Sequence, residues 1–471
     1  MIEVGRNSIV VRNVDLESQG FKNINYQYSL YDKVYRKYTF SAYTIIGQDM
    51  YFPASIGAGE ISKHFPKKDI VENYKITAKS SPISYSMKNK PRNELQRKAI
   101  TFLMGMKNDF NERERFLSLA TGSGKTYITI NILSQFKKKA MIIVDTLELG
   151  AQWKREFLSH SNLVDSDIVI LSGQDSVDTE IKDKVGKIYI AIHRTLNNML
   201  TNDLNSINSL MNKLGIGFRV FDEAHVNFKG ICMINALSNV EYTLYLTATP
   251  SRSSFSDDYL YGKVFRKIPY FNGKDISDDK YHTVILYSFD SKPTIDEKFS
   301  VKSKYGFSTS KWASHLQGDS YEFLDEAITE IFKKFDLIKR GKKTAIMLPT
   351  LKLIDMVKDS FNQKGIEVGT FIGDVKTDKR KDELDKNIIL TNDKMFGKGI
   401  DVKDLEVLIN FVPFGSDVKT EQIMGRLRYK EKTPVVLIDV TDVGYIECVK
   451  QFKLRRRFYK KRAKKLIEIE K

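Results

Sequence analysis

Ala120-Thr121-Gly122-Ser123-Gly124-Lys125-Thr126 is the first stretch of this 471-residue chain whose residue types could do chemistry. Glycines let a backbone fold around a phosphate chain so that several N–H groups point inward, and a helix beginning at that point adds its positive end. In such a cradle of Thr121, Gly122, Ser123 and Gly124, Lys125 neutralises the β- and γ-phosphates of ATP and the Thr126 hydroxyl ligates Mg²⁺. The strict GxxxxGK[ST] pattern fails at its first position, where Leu119 stands. The competing reading, a Gly/Ser turn that merely joins two elements, is disfavoured because a strand pattern precedes the loop and a helix pattern follows it. Ninety-seven residues after Lys125 comes Phe221-Asp222-Glu223-Ala224-His225. Adjacent carboxylates at a strand end suit a divided task, with Asp222 holding Mg²⁺ and Glu223 polarising the attacking water. Thr247-Ala248-Thr249-Pro250 then closes another strand pattern with two hydroxyls, a weak signal alone.

Parallel α/β architecture is what must position these groups, because it gathers loops at the C-terminal edge of one sheet. From Phe116 onward, short apolar runs alternate with amphipathic stretches, as such folds require. One set comprises RFLSL (115–119), AMIIV (140–144), KIYIAI (187–192), FRVF (218–221) and YTLYL (242–246); a second comprises TAIML (344–348), VGTFI (368–372), NIIL (387–390), VLINFV (407–412) and PVVLI (434–438). Two doubly wound domains in tandem are expected, since a single sheet of that size exceeds ordinary domain limits. The boundaries drawn are a strand-rich N-terminal accessory domain over 1–90, the ATP-binding domain over 91–268, an irregular connector over 269–320 with one strand at 283–289, a second α/β domain over 321–445, and a basic C-terminal helix over 446–471.

DEAH after a GKT loop, followed by TATP, resembles the superfamily 2 helicases and translocases, whose motor is two RecA-like domains. The other motifs fall in order over about residues 91–445. Asn93-Glu94-Leu95-Gln96 resembles the adenine-reading segment, which implies that Gln96 contacts the base. Val144-Asp145-Thr146 with Ala151-Gln152-Trp153 resembles motif Ia, and Ile192-His193-Arg194-Thr195 a later strand-binding motif. Thr391 with Gly399-Ile400-Asp401 resembles motif V, and Gln422-Ile423-Met424-Gly425-Arg426 resembles motif VI. The resemblance implies nucleic-acid contacts at Thr146, Thr195 and Thr391, nucleotide contact at Asp401, and coupling through His225, Thr247, Thr249 and Gln422. It also implies a γ-phosphate role for Arg426, supplied in trans by the second domain. One departure is at the end of motif VI, where Tyr429 occupies the place of the second arginine and Arg428 lies one residue earlier. Arg428 is the candidate second finger. The overall plan, with Tyr261-Gly262-Lys263-Val264-Phe265 and Arg456-Arg457-Phe458-Tyr459, is similar to phage-type recombination and branch-migration DNA helicases.

Charge points to the same kind of partner. Lys plus Arg number 76 against 59 Asp plus Glu, a net of +17, which suits a polyanion. Beyond Tyr445 there are eleven Lys/Arg and three Glu, a net of +8. Against a merely solvated face stands the self-repulsion of so dense a run, which a phosphate backbone would relieve. Arg455, Arg456, Arg457, Lys460 and Lys461 are therefore expected to grip DNA, with Leu454, Phe458 and Leu466 as anchors. Tyrosines 26, 28, 31, 35, 38, 43 and 51 are read either as the core of a small domain or as base-stacking groups. Two cysteines, Cys232 and Cys448, supply no disulfide framework, and His64, His160, His193, His282 and His315 show no ligand spacing. No run of about 20 apolar residues suggests a membrane span, and the N-terminal residues lack a secretory pattern, so a cytoplasmic setting is expected, that of a bacterial host if phage-encoded. The expected activity is ATP-dependent tracking on single strands and remodelling of forked or branched DNA, with ATP and Mg²⁺ as cofactors. An RNA-remodelling ATPase and a non-catalytic ATP-gated clamp are the alternatives.

Overall fold

A computed structural model describes the chain apart from residues 33–35, 74–79, 108–111, 120–121, 184–185, 249–254, 274–281, 304–305, 373–381, 394–401, 403, 428–433 and 470–471. The chain divides into two compact units, Met1–Ser277 and Asp278–Lys471. Each is built on a seven-stranded sheet whose pairings are all parallel, so the two are tandem RecA-like domains.

In the first unit the strand order is Ile168–Leu171, Ile188–Ile192, Ala140–Val144, Phe218–Phe221, Tyr242–Thr247, Glu114–Ser118, Tyr270–Asn272. Strands covered on both faces should be near-continuously apolar, and Ala140–Val144 and Ile188–Ile192 are buried at every position. Sequence patterning found the five inner strands. Ile168–Leu171 and Tyr270–Asn272 escaped because edge strands, half-covered and short, carry little contrast with their flanks. Phe221 is in register with Tyr245, and Tyr245 with Phe116. Their rings stack at 5.5 Å and 5.7 Å between centroids, a cross-strand ladder that fixes the relative heights of three strands.

Residues 1–90 form the expected strand-rich element, a five-stranded sheet ordered Thr44–Ile46, Asp49–Pro53, Ser8–Val11, Ile2–Val4, Ile70–Glu72. It does not close a core of its own. Ile2, Ile9 and Phe52 belong to one apolar cluster with Phe228, Tyr261 and Phe265 of the motor domain, because strands of three to five residues bury too little surface alone. A buried polar seam reinforces the join: Asn7 donates to Glu114 Oε1 at 3.2 Å and accepts from the Val240 N–H at 2.8 Å. The tyrosines differ in exposure. Tyr28 is buried, whereas Tyr26, Tyr31 and Tyr38 are exposed; Tyr35 lies outside the described residues.

The second sheet runs Gly369–Phe371, Ile388–Asn392, Thr344–Leu348, Val407–Asn410, Val435–Asp442, His282–Phe289, Lys465–Glu468. Two boundaries change in consequence. The strand foreseen at 283–289 inside a connector is an integral member of this sheet, paired with Val435–Asp442 along its whole length. The basic tail is a helix only over Ile446–Arg462. Beyond it, Lys465–Glu468 adds an edge strand beside His282–Phe289, where the partly buried Leu466 and Ile467 pack on opposite faces of the sheet.

Candidate nucleotide site

Glu114–Ser118 ends beneath a loop that opens the helix Lys125–Phe136. Gly124 has φ 94°, a left-handed conformation that costs a side chain dearly. A Cβ there would also strike the amide of Gln96, 2.2 Å away. Gln96 itself is buried and lies against the loop. It accepts from the Arg92 N–H at 2.9 Å and donates to the Ser123 carbonyl at 3.3 Å, while Asn93 caps its helix through the Gln96 N–H at 3.0 Å. Arg92 donates to the Gly122 carbonyl at 2.6 Å, a loop contact that the motif reading missed; only its place beside Asn93 hinted at it. Lys125 Nζ rests on the Leu119 carbonyl at 3.0 Å, so its charge lies inside the loop with a weak, exchangeable partner. Thr126 stands half-buried in the first helical turn.

Two sheet positions away, Phe218–Phe221 ends at Asp222 and Glu223, with Tyr242–Thr247 lying between that strand and the one below the loop. The turn is pinned on both sides: the Asp222 N–H donates to the Ile143 carbonyl at 3.0 Å and the Ala224 N–H to the Leu246 carbonyl at 2.8 Å. Burial, helped by the neighbouring Glu223 charge, pushes the Asp222 carboxyl up to about 6, while the Trp153 hydrogen bond and Lys125 pull it down. Trp153 donates its indole N–H to Asp222 Oδ2 at 2.7 Å. The motif Ia resemblance includes Trp153 but gives no sign of its bond to Asp222. A desolvated carboxyl beside a second carboxylate, with the Thr126 hydroxyl one residue beyond the Lys125 that acts on it, is a hard-oxygen donor set that fits Mg²⁺.

Glu223 adopts φ 45°, uncommon for a residue with a Cβ and a form of strain found at functional turns. Its Oε2 is enclosed and receives no hydrogen bond among the described residues, while His225 Nδ1 lies 3.3 Å away. The same His225 nitrogen is 2.8 Å from Thr247 Oγ1. Thr247 in turn accepts at its carbonyl from the Leu119 N–H at 3.1 Å. Glu223, His225, Thr247 and the root of the phosphate loop therefore form one connected chain. The structure brings Gln96, Gly122, Ser123, Gly124, Lys125, Asp222, Glu223, His225 and Thr247 together; Thr121 and Thr249 lie outside the described residues.

The remaining sequence-derived residues are placed as follows. Thr146 caps the helix Leu147–His160 through the Leu149 N–H at 3.3 Å. Thr195 is buried and accepts from the Gly173 N–H at 2.9 Å. Thr391 is fully buried and donates to the Phe371 carbonyl at 2.9 Å. All three hydroxyls are engaged with backbone. In the second unit, Gln422 lies in the helix Asp417–Met424 and Arg426 in the turn after it, both half-buried. His282 holds that turn, its Nε2 lying 2.8 Å from the Met424 carbonyl and 3.1 Å from that of Leu427. Arg428 and Asp401 lie outside the described residues.

The tail requires a correction. Arg455 is 1% exposed, its guanidinium 2.9 Å from Asp439 and bonded also to the Phe414 carbonyl. A cation buried to this extent and paired with a buried carboxylate cannot also reach a phosphate, so Arg455 anchors the helix instead. Arg456 forks onto Glu468 with contacts of 2.6–2.9 Å. Arg457, Lys460 and Lys461 remain exposed. Leu454 is exposed too, and Tyr459 takes the anchoring place foreseen for it.

Residues 89–252 match the family model described as the type III restriction enzyme res subunit, and residues 322–430 the helicase conserved C-terminal domain. Transcript termination protein A18 of Yaba-like disease virus is 26% identical over 333 residues, covering 66% of this chain and 64% of that protein. The DNA 3'-5' translocase XPB2 of Sulfurisphaera tokodaii is 23% identical over 368 residues, 71% of this chain and 79% of its own. Among solved structures, S. cerevisiae Dbp5 bound to RNA and ADP BeF3 has a TM-score of 0.55 at 13% identity, over 80% of this chain and 89% of that one, a likeness of fold alone. Among the described residues no helix is long and apolar enough to cross a membrane.

Proposed function

We propose that this chain, which belongs to the superfamily 2 helicases, is an ATP-hydrolysing DNA translocase that remodels forked or branched DNA. The observation that carries the reading is the connected chain from Lys125 and Asp222 through Glu223 and His225 to Thr247, at the C-terminal edge of a parallel sheet. ATP enters where Lys125 exchanges the Leu119 carbonyl for β/γ-phosphate oxygens, with Gln96 beside the loop to meet the base. Thr126 and Asp222 would hold Mg²⁺, which supplies charge neutralisation at the phosphates. Glu223 takes the proton of the attacking water, because its enclosed Oε2 is held on the strained turn beside His225. Arg426 carries the γ-phosphate role that its motif implies. Because His225 bonds to Thr247 and lies beside Glu223, a change of charge at Glu223 is felt on the strand Tyr242–Thr247, whose last carbonyl holds the Leu119 N–H at the root of the phosphate loop.

DNA is preferred over RNA because of the archaeal translocase relative, and a branched substrate because of the exposed cations on the tail helix. The viral transcript termination relative keeps an RNA-directed reading open to test. ATP hydrolysis is measured with single-stranded DNA, RNA, blunt duplex, forked duplex and four-way junctions, using the wild type and Glu223→Gln. The wild type should be stimulated most by DNA and should act on forks and junctions. Glu223→Gln should bind ATP and leave it uncleaved. Stimulation by RNA alone would remove the DNA assignment, and turnover by Glu223→Gln would remove the base assignment.

A further inference from the structure

The second unit carries an apolar groove of about 360 Å³ that nothing in the proposed motor cycle uses. It lies where the C-terminal ends of two neighbouring strands, at Phe289 and Asp442, release the chain. One wall is the helix Ile295–Ser300; the other is the turn at Val443 with the start of the helix Ile446–Arg462. Four large apolar side chains stand out here: Ile295 is 73% exposed, Phe299 65%, Ile446 61% and Val443 47%. Single exposed hydrophobics are ordinary, but four around one groove mark an interaction site.

The walls are held by a buried polar frame. Asp442 accepts from the Ser291 hydroxyl at 2.6 Å, the Trp312 indole at 3.0 Å and the Gly444 N–H at 3.0 Å. His315 joins the two walls directly, with Nε2 2.9 Å from Ser300 Oγ and Nδ1 2.6 Å from the Tyr445 hydroxyl. A capping box between Thr294 and Glu297 fixes the entrance of the first wall. Such a groove is formed before anything binds, so an occupant meets little ordering cost.

Its chemistry selects among occupants. Apolar side chains make up more than half of the lining, and Glu447 stands among them beside the two lysines, whereas nucleic-acid surfaces are polar and strongly positive. Lys298 and Lys302 stand at the rim; Lys302 lies over the Phe299 ring at 5.2 Å and 3.7 Å from Glu447. A second copy would bring these lysines toward another chain of net charge +17, which repulsion opposes. We infer that this groove docks a short segment of a partner protein in which two large apolar side chains are flanked by Asp or Glu. The apolar pair fills the space among Ile295, Phe299, Val443 and Ile446, and the acidic flanks meet Lys298 and Lys302.

The test is selection of a displayed library of random peptides, about twelve residues long, on the immobilised full chain and on its Phe299→Ser/Ile446→Ser variant. Peptides enriched on the wild type should pair two large apolar residues with acidic flanks, and synthetic copies should bind the variant at least about tenfold more weakly. Lys298→Glu with Lys302→Glu should shift the enriched flanks from acidic to basic. This second variant keeps the test decisive should the first fail to fold, since both lysines are exposed. Basal ATP hydrolysis should be unchanged in both. The inference is overturned if no peptide distinguishes wild type from variant, or if the enriched peptides lack acidic residues. It is equally overturned if the variant loses single-strand affinity instead, which would make the groove a nucleic-acid site, or if a wild-type dimer dissolves on substitution, which would make it a contact between copies.

Discussion

Changing Arg457, Lys460 and Lys461 together to Gln, beside Arg455→Gln alone, separates the phosphate grip proposed for the basic tail from its anchoring. The three exposed cations carry no described structural duty, so their loss should leave thermal stability nearly unchanged, as surface substitutions usually do. If each meets one duplex phosphate, the slope of log affinity against log salt should flatten by about 0.9 per contact, or about 2.7 units for three. Between about 50 and 200 mM salt, that change removes roughly a 40-fold dependence on salt. Arg455→Gln should behave in the opposite way. Its guanidinium is 1% exposed and its partner Asp439 fully buried, so truncation leaves an uncompensated carboxylate at a cost of about 3–5 kcal/mol. Fluorescence anisotropy with a labelled four-way junction across a salt series reads the first effect, and calorimetric unfolding the second. An unchanged salt slope in the triple variant would refute the phosphate grip. A fully stable Arg455→Gln would refute the anchoring role.

Trp153→Phe keeps the ring's bulk but removes the indole donor from Asp222; a lost hydrogen bond to a charged group costs about 1.5–3 kcal/mol, so ATP turnover should fall by roughly 10- to 150-fold with the fold intact, and near-normal turnover would show the bond to be incidental. His193 is buried against Phe221 with neither ring nitrogen bonded among the described residues, and burial pushes its pKa down to about 4. With an unfolded value of about 6.5, the neutral ring's stabilisation is complete above that pH and is lost progressively between about 6.5 and 4, amounting to about 2 kcal/mol between pH 7 and pH 5. His193→Phe should therefore flatten the acid side of the stability curve, as denaturant melts at the two pH values will reveal. Asn7→Ala strands Glu114 and the Val240 N–H in the seam between N-terminal sheet and motor, and should destabilise the first unit by about 1–3 kcal/mol; an unchanged midpoint in urea would mean that the seam contributes little.

How much of this was legible in the residues follows from the range of the interactions involved. Lys125, Asp222 and Glu223 stand out in the sequence because phosphate loops and strand-end carboxylates are local patterns, in which chain neighbours supply the backbone geometry. The parallel strands were found where both faces are buried, because apolar runs such as Ala140–Val144 record that burial directly. Linear sequence alone settled the order of the motifs, the tandem α/β plan and the excess of positive charge. Only the tertiary structure decided which groups are spent elsewhere. Arg455 and Arg457 are indistinguishable in a basic run, yet one lies on the helix face that packs against Asp439 and the other faces solvent. Nothing local to the indole reveals that Trp153 reaches Asp222, 69 residues away. The strand His282–Phe289 looked like part of a connector because its partner Val435–Asp442 is far along the chain, and the N-terminal sheet looked independent because the surface that completes its core belongs to Phe228, Tyr261 and Phe265. Burial and hydrogen-bond satisfaction are properties of residues distant in the chain and close in space, so they become readable only once the chain has folded.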